Sequence, residues 1–185
     1  MMHTHHPLAG RALSGAPARV TIRPVEDCAR FMLRIDPQDL AAASKVWGAG
    51  LPPTIGGLVS GSGRVATCIG PDEWYLIAPL PEQAAIESAF AALYAATIHS
   101  LVDVGQRDVG IAVEGPDAAL ALQASIAFEI ATMPIGSGCR TLIDRAQIIL
   151  LREGQDRFRI EVWNSFADHV WHLLAGICQE IELGV

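Results

Sequence analysis

Lysine is nearly absent from this chain of 185 residues, and so are the short motifs that commonly accompany catalysis. Lys45 is the single lysine beside 12 arginines, a bias from which no function follows. No Cys-x-x-Cys pair, His-Glu-x-x-His motif or Gly-x-Ser-x-Gly turn occurs. The glycine clusters at 61–63 and 136–138 lack the strand, GxGxxG and helix context of a dinucleotide site. The sequence therefore gives no signal for a zinc centre, a dinucleotide cofactor or a serine nucleophile.

The charge balance and the length of the apolar runs narrow the possible partners. The net charge is −7, so binding to nucleic acid is not expected. No apolar run approaches the roughly 20 residues of a membrane-spanning helix, so no membrane association is expected. Hydrophobic residues nevertheless make up 51% of the chain and charged residues 18%. This surplus suggests a buried subunit interface, although a high alanine content raises the hydrophobic fraction in the same way.

The four cysteines stand far apart in the sequence, at Cys28, Cys68, Cys139 and Cys178. We expect them to be free thiols in a reducing cytoplasm, buried in or beside predicted strands and the last helix. The first ten residues, MMHTHHPLAG, lack the basic and apolar regions of a secretory signal. Their histidines are interpreted as part of a polar terminus rather than as a metal site.

Turn residues and hydrophobic periodicity divide the chain into strands and helices. Residues 1–18 are predicted to be a flexible tail, because proline and glycine interrupt them repeatedly. Asp36-Pro37 predicts a helix start, with aspartate as cap and proline in the first turn. The segment 48–63, rich in glycine and proline, predicts a mobile loop. The remaining predictions are strands at 19–25 (an edge strand, because of Pro24), 29–35, 65–69, 73–78, 101–104, 109–113, 141–143, 147–151 and 158–162, helices at 36–47, 81–95, 116–125 and 166–181, and an irregular crossing at 128–138.

A weak internal repeat emerges when these elements are aligned. Ile35–Leu40 matches Glu114–Ala119, since each segment leaves a strand and starts a helix. Trp74–Ile77 then corresponds to Phe158–Val162. The fold class predicted from this alignment is α+β, with two β-α-β-β-α (ferredoxin-like) units and helices packed on mainly antiparallel sheet. We expect one domain over residues 19–185, with its pseudo-repeats at about 19–98 and 99–185.

Four segments carry a resemblance to a known family. They are Ser100–Asp117 (SLVDVGQRDVGIAVEGPD), Arg157–Leu174 (RFRIEVWNSFADHVWHLL), Gly70–Ile77 (GPDEWYLI) and Pro7–Gly10 (PLAG). Together they resemble the gamma subunit of heterotetrameric sarcosine oxidase, over about residues 7–181. That subunit is related to the folate-binding fold of the glycine-cleavage aminomethyltransferase, which also uses paired units of this type.

The resemblance implies an accessory, non-catalytic role in a larger complex. Such a complex oxidatively demethylates sarcosine to glycine and passes the one-carbon unit to tetrahydrofolate. The resemblance implies that FAD, FMN, NAD and tetrahydrofolate are held by the partner subunits and that this chain binds no cofactor itself. It also implies docking on the alpha subunit, with beta and delta subunits in the same complex, in the cytoplasm.

Asp103 and Arg107 are the candidate ligand contacts, of a weak folate type. In the aminomethyltransferase relatives an aspartate binds the pterin, but the motif around Asp103 does not match theirs. The alternative is structural: Asp103 and Arg107 would tie a tight turn through Gly105 by hydrogen bonds. Both interpretations stay open on the sequence alone.

The candidate interface residues come from the second half of the chain. Arginines are dense there, and they suit either a solvated sheet face balanced by acidic residues or an interface with a larger subunit. Trp163 and its neighbours, where a strand meets the last helix, could anchor that interface or close the core. The predicted interface set is Arg140, Arg157, Arg159, Trp163, Phe166 and Trp171. His169 and His172 share a helix face, but no third ligand accompanies them and no metal site is predicted.

Two other classes of function remain as alternatives. The chain could be a stand-alone folate-binding or one-carbon transfer protein, which would need a concave site between its halves. It could also be a homodimeric scaffold that buries its apolar surplus against a second copy.

Overall fold

The computed structural model describes residues 7–12, 14–16 and 18–184, which form two sheets with helices packed on them. The strands are β1 (Ser14–Ala16), β2 (Val20–Pro24), β3 (Cys28–Ile35), β4 (Leu58–Gly61), β5 (Arg64–Gly70), β6 (Glu73–Pro79), β7 (His99–Asp103), β8 (Asp108–Glu114), β9 (Ser137–Ile143), β10 (Ala146–Gly154) and β11 (Arg157–Trp163). The helices are α1 (Leu40–Trp47), α2 (Gln83–Leu93), α3 (Ala118–Gln123) and α4 (Asn164–Leu183), with 3₁₀ turns at Pro37–Asp39, Leu80–Glu82 and Ile130–Thr132.

The chain divides into two compact units. One, which we call the β3 unit, comprises residues 27–106 and 136–139. The other, the β8 unit, comprises the described parts of residues 1–26, 107–135 and 140–185. This division follows contacts in space and not the internal sequence repeat. The predicted boundary between the two repeats, near residue 98, therefore stays a prediction.

The β3 unit is built on a five-stranded sheet of order β4-β5-β6-β3-β7, whose described pairings are antiparallel. Alternate residues of its strands point to the helices, as a two-residue period requires. They enclose an apolar core with side chains of α1 and α2; its large members are Phe31, Leu33, Trp47, Trp74, Leu76, Ile86 and Phe90. The sheet therefore has one face closed by helices.

The start of the first helix follows the predicted cap chemistry. Asp36 lies in extended backbone and accepts a hydrogen bond from the Gln38 amide at 2.9 Å, and Pro37 opens the 3₁₀ turn that leads into α1. The helix ends at Gly48, whose φ of +79° is the left-handed conformation that glycine adopts without steric cost. The predicted helix over 36–47 is confirmed.

The predicted loop over 48–63 is partly wrong, because its second half is strand β4. β4 pairs with β5 through a turn at Ser62-Gly63, where both residues have positive φ, 54° and 76°. Two positive values in a two-residue turn match the right-handed twist of a hairpin. The first half is fixed instead by the Trp74 indole, which donates to the Pro52 carbonyl at 2.8 Å.

The β8 unit is built on a sheet of order β1-β2-β8-β11-β10-β9. The predicted edge position of β2 is wrong, because β1 covers its outer side. That pairing ends at Ile22, so Pro24 lies beyond it and its missing N–H removes no hydrogen bond to β1. Part of the predicted tail is also described: Leu8 is buried, and Arg11 forms an ion pair with Asp168 of α4.

The strand order confirms that the two units have similar architectures, as the internal repeat predicts. The order β4-β5-β6-β3-β7 of one sheet corresponds to β9-β10-β11-β8-β2 in the other, with β6 matching β11 as the sequence alignment predicts. In each unit a strand leads into a helix, at β3–α1 and at β8–α3. The α+β class with two similar units is thereby confirmed, although the sheets have five and six strands where the β-α-β-β-α pattern has three.

Candidate functional site

Asp103 is held by two hydrogen bonds at the end of β7. One carboxylate oxygen accepts from the Gly105 amide at 2.8 Å, and the other accepts from the Gln83 side-chain amide of α2 at 2.8 Å. The predicted turn through Gly105 is confirmed for Asp103. Since both oxygens already have a partner within the β3 unit, the contacts present are those of a structural residue, and a folate contact stays a prediction.

Arg107 belongs to the β8 unit, where it forms a cluster with Asp108 and Trp163. Its guanidinium donates to both carboxylate oxygens of Asp108, at 2.9 and 3.2 Å, and lies 5.6 Å from the centre of the Trp163 ring. The Arg107 carbonyl accepts the Asn164 amide at 2.7 Å, where α4 begins. Trp163 is 40% exposed. This cluster presents an arginine and a tryptophan together at the junction of β11 and α4.

A buried ion pair lies on the face of β11 that also carries Trp163. Arg159 and Glu161 are two residues apart, so they share a face, and their side chains meet at 2.5 Å. The Glu161 side chain has no exposed area. Gly110 lies opposite Glu161 in the register of β8 and β11, and a Cβ there would come within 3.1 Å of the carboxylate. Arg159 is therefore an internal residue of this chain rather than a surface arginine.

The other predicted interface residues differ in accessibility. Arg140 on β9 and Arg157 at the start of β11 are exposed, and Phe166 in the first turn of α4 is half-buried. Trp171 is only 4% exposed and lies in the buried stripe of α4 with Val170 and Leu174. Because Trp171 is buried, it belongs to the core and offers no side-chain surface to a partner.

A groove between α2 and β7 was not foreseen from the sequence. His99 of β7 makes edge-on ring contacts with Phe90 and Tyr94, at centroid distances of 5.5 and 5.7 Å. The groove is open, measures about 610 Å³, and is lined by Glu87, Phe90, Ala91, Tyr94, His99, Ser100 and Leu101. The available signal was Tyr94, an aromatic residue just past the helix stripe, but its relation to His99 depends on how α2 and β7 pack.

Several titratable side chains among the described residues form hydrogen bonds and ion pairs with one another. No group of three or more His, Cys, Asp or Glu side chains in the described ranges could hold a metal ion. His169 contacts Asp144 at 2.9 Å, and this hydrogen bond, with a second from Arg145, holds the pKa of Asp144 below its usual value. Burial raises the pKa of the Cys68 thiol, which disfavours the reactive thiolate.

Comparison with known proteins identifies the family. The model of the sarcosine oxidase, gamma subunit family matches residues 34–180. The chain belongs to this family. No curated protein matches the chain. Among the residues that the structure describes, no helix is both long and apolar enough to cross a membrane.

Solved structures extend this result to the whole fold. A chain of the heterotetrameric sarcosine oxidase from Corynebacterium sp. U-96, solved in complex with pyrrole 2-carboxylate, is 26% identical, with a TM-score of 0.86 over 95% of each chain. Aminomethyltransferase T of the glycine cleavage system from Bartonella henselae is 18% identical, with a TM-score of 0.63 over 86% of this chain and 46% of that one. The regulatory subunit of aspartate kinase from Thermus thermophilus is 10% identical, with a TM-score of 0.54 over 90% and 99%. The last two show the fold alone, and the predicted kinship with the aminomethyltransferase fold is confirmed.

Proposed function

We propose that this chain is an accessory, non-catalytic subunit of a heterotetrameric sarcosine oxidase or a closely similar amine oxidase. The observation that carries the proposal is the match to the Corynebacterium enzyme, which extends over 95% of both chains. In this role the chain docks on the alpha subunit of a complex that also contains beta and delta subunits. The complex oxidatively demethylates sarcosine to glycine and passes the one-carbon unit to tetrahydrofolate.

The cofactors of this reaction belong, in our proposal, to the partner subunits. FAD, FMN, NAD and tetrahydrofolate each need a built site, and the polar groups of the candidate contacts Asp103 and Arg107 already hold partners within their own units. The cytoplasm is the proposed location, which the four thiols support because none of them is in a disulfide.

The Trp163 cluster is the proposed docking surface of the β8 unit. Tryptophan and arginine are the side chains that most often dominate the energy of protein interfaces. Trp163 is 40% exposed although it is large and apolar, and Arg107 is held beside it by Asp108. Arg140, Arg157 and Phe166 complete the accessible part of the predicted interface set.

Co-expression with the alpha, beta and delta subunits from the same source tests the proposal. A tag on this chain should capture larger, yellow subunits with a flavin spectrum, whereas the chain purified alone should be colourless and should consume no oxygen with sarcosine. Trp163→Ala should weaken capture by on the order of tenfold or more. Leu120→Ala is the matched control, since Leu120 is an exposed apolar residue of the same unit outside the cluster.

Three results would contradict the proposal. One is a chain that captures no larger subunit. Another is a chain that associates only with a second copy of itself, as a homodimeric scaffold would. The third is tight binding of tetrahydrofolate by the isolated chain, which would favour a stand-alone folate-binding or one-carbon transfer protein.

A further inference from the structure

Strand β7 has backbone groups that point away from its own sheet. It is the last strand in the order β4-β5-β6-β3-β7, and no described residue pairs with its outer side. The Val104 amide donates to the Arg30 carbonyl at 2.8 Å, and Val102 and Ser100 face Met32 and Arg34 in register. Hydrogen-bonded pairs alternate in an antiparallel ladder, so the N–H and C=O groups of residues 99, 101 and 103 point outward.

A side-chain groove runs beside this edge. Residues 99 and 101 face α2, where His99 contacts Phe90 and Tyr94 edge-on. Ala91, exposed on α2, contributes only a methyl group to the lining, so the groove stays wide at that point. An edge strand with a groove on its helix side provides the two elements by which domains bind extended peptides: main-chain hydrogen bonds and a pocket for alternate side chains.

Exposed apolar residues continue the surface beyond the groove. Val102 is 51% exposed and Ile98 is 79% exposed, on the strand and just before it. Exposed apolar side chains on an edge strand are uncommon in proteins that act alone, because they invite pairing with another chain. Their presence supports a strand partner rather than a small ligand.

Charge around the edge indicates the chemistry of that partner. Glu87 lines the groove and Asp103 ends the strand. At the other end, a neighbouring depression that shares His99 and Ser100 with the groove is lined by Asp36, Asp39 and Asp72. The cation lining it, Arg34, is already paired with Asp72 at 2.9 Å. Carboxylates therefore flank both ends of the edge, which favours a basic partner and disfavours a second, equally acidic copy.

We propose that an extended segment of a partner subunit adds to β7 as a sixth strand of this sheet. The segment places an apolar side chain in the groove between α2 and β7, and its flanking lysine or arginine residues face Glu87 and the carboxylates at the other end. This inference rests on the proposed function, since it names a second docking surface, on the β3 unit, for the same complex.

A pair of neighbouring substitutions tests the groove. Ala91→Arg fills the groove and neutralises the charge of the adjacent Glu87. Ala92→Arg is the control, because it places the same side chain at the next exposed position of α2, which does not line the groove. In the co-expressed complex, A91R should weaken capture of the larger subunits by on the order of tenfold and A92R should leave it unchanged. Glu87→Gln should weaken capture at low salt more than at high salt, because a solvent-exposed charge is screened.

Backbone hydrogen exchange of the assembled complex tests strand addition directly. The amides of residues 99, 101 and 103 should become protected on assembly, while those of 100 and 102, already bonded to β3, should change little. Capture that A91R leaves unaffected, or amides at 99, 101 and 103 that stay unprotected, would overturn the groove proposal while leaving the accessory role intact. Loss of the accessory role has a different signature, because the wild-type chain would then capture no larger subunit. Self-association of the isolated chain that A91R abolishes would identify a second copy as the occupant and would also overturn it.

Discussion

Removing the guanidinium of Arg152 should destabilise the β8 unit more than the same change at an exposed arginine does. Arg152 is buried on β10, and one of its terminal nitrogens donates to the Ala131 and Met133 carbonyls at 3.1 and 2.5 Å. The other donates to the Gln155 carbonyl at 3.2 Å, and the group lies 5.2 Å from the centre of the Phe158 ring. A single side chain thus fixes the crossing segment that contains the 3₁₀ turn.

The size of the effect follows from these bonds. Hydrogen bonds that involve a charged group contribute about 1.5–3 kcal/mol each, and a buried carbonyl left without a partner costs about 1–3 kcal/mol. Relief of the buried charge in Arg152→Met offsets part of this loss. We therefore expect a net loss of about 3 kcal/mol, and a melting temperature lower by about 6–12 °C for a chain of this length.

Urea unfolding followed by circular dichroism measures the loss, with Arg157→Met as the control. Arg157 is exposed on the neighbouring strand β11, so its replacement should change stability by no more than about 0.5 kcal/mol. Arg152→Lys should lose most of the stability too, because an ammonium cannot place its donors in the planar fork that reaches these carbonyls. Equal stability of R152M and R157M would refute the reasoning.

Three further predictions concern backbone space, pH and thiol reactivity. Gly115→Ala should lower the free energy of unfolding by about 2 kcal/mol or more, because φ at Gly115 is +127° and a Cβ would lie 2.4 Å from a carbonyl oxygen. Gly176→Ala should raise it by about 0.5–1 kcal/mol, because a Cβ at that position of α4 meets open space. Urea unfolding measures both changes. The hydrogen bond from His169 lowers the pKa of Asp144, so the stabilisation is present above the unfolded pKa and is lost on acidification. The gap in melting temperature between wild type and Asp144→Asn should therefore narrow as the pH falls below about 4. Burial raises the pKa of Cys68, so iodoacetamide should alkylate it only after unfolding, as measured by mass spectrometry.

Each of these predictions has a result that contradicts it. For the glycines it is a Gly115→Ala variant as stable as Gly176→Ala. For the pH dependence it is a gap between wild type and Asp144→Asn that is as large at pH 3 as at pH 6. For the thiol it is rapid alkylation of Cys68 in the folded chain.

Local chemistry explains what the sequence predicted well. The cap at Asp36, the hairpin from β5 to β6 and the apolar stripe of α4 depend on residues close together in the chain, and all three are present. β4 was missed because a serine–glycine turn with two positive φ values resembles a loop in composition. The prediction that β2 is an edge strand was wrong for a different reason. β1, which pairs with β2, is only three residues long, and so short a strand gives no periodic pattern in the sequence.

The candidate site was less predictable because it depends on packing between distant segments. Arg159 and Trp171 look like surface anchors in sequence, but a buried glutamate and the stripe of α4 make them internal. The groove beside β7 needs α2 and β7 in contact, which no residue of either element specifies alone. Asp103 was singled out correctly as a turn residue, since its bond to Gly105 spans only two positions.

The place of β2 has a consequence for the order in which the protein is made. The core of the β3 unit draws on residues between Ala29 and Phe90, so a ribosome has released all of it while the second half is still being translated. β2 emerges earlier, yet its partner in the sheet is β8, and Thr21 pairs with Glu114. We expect residues 27–106, the main part of the β3 unit, to fold on the ribosome before β8 has emerged, so that β2 is at that stage without its partner in the sheet. Stalled nascent chains that have exposed residue 106 should already resist protease over 27–106 and remain sensitive before it.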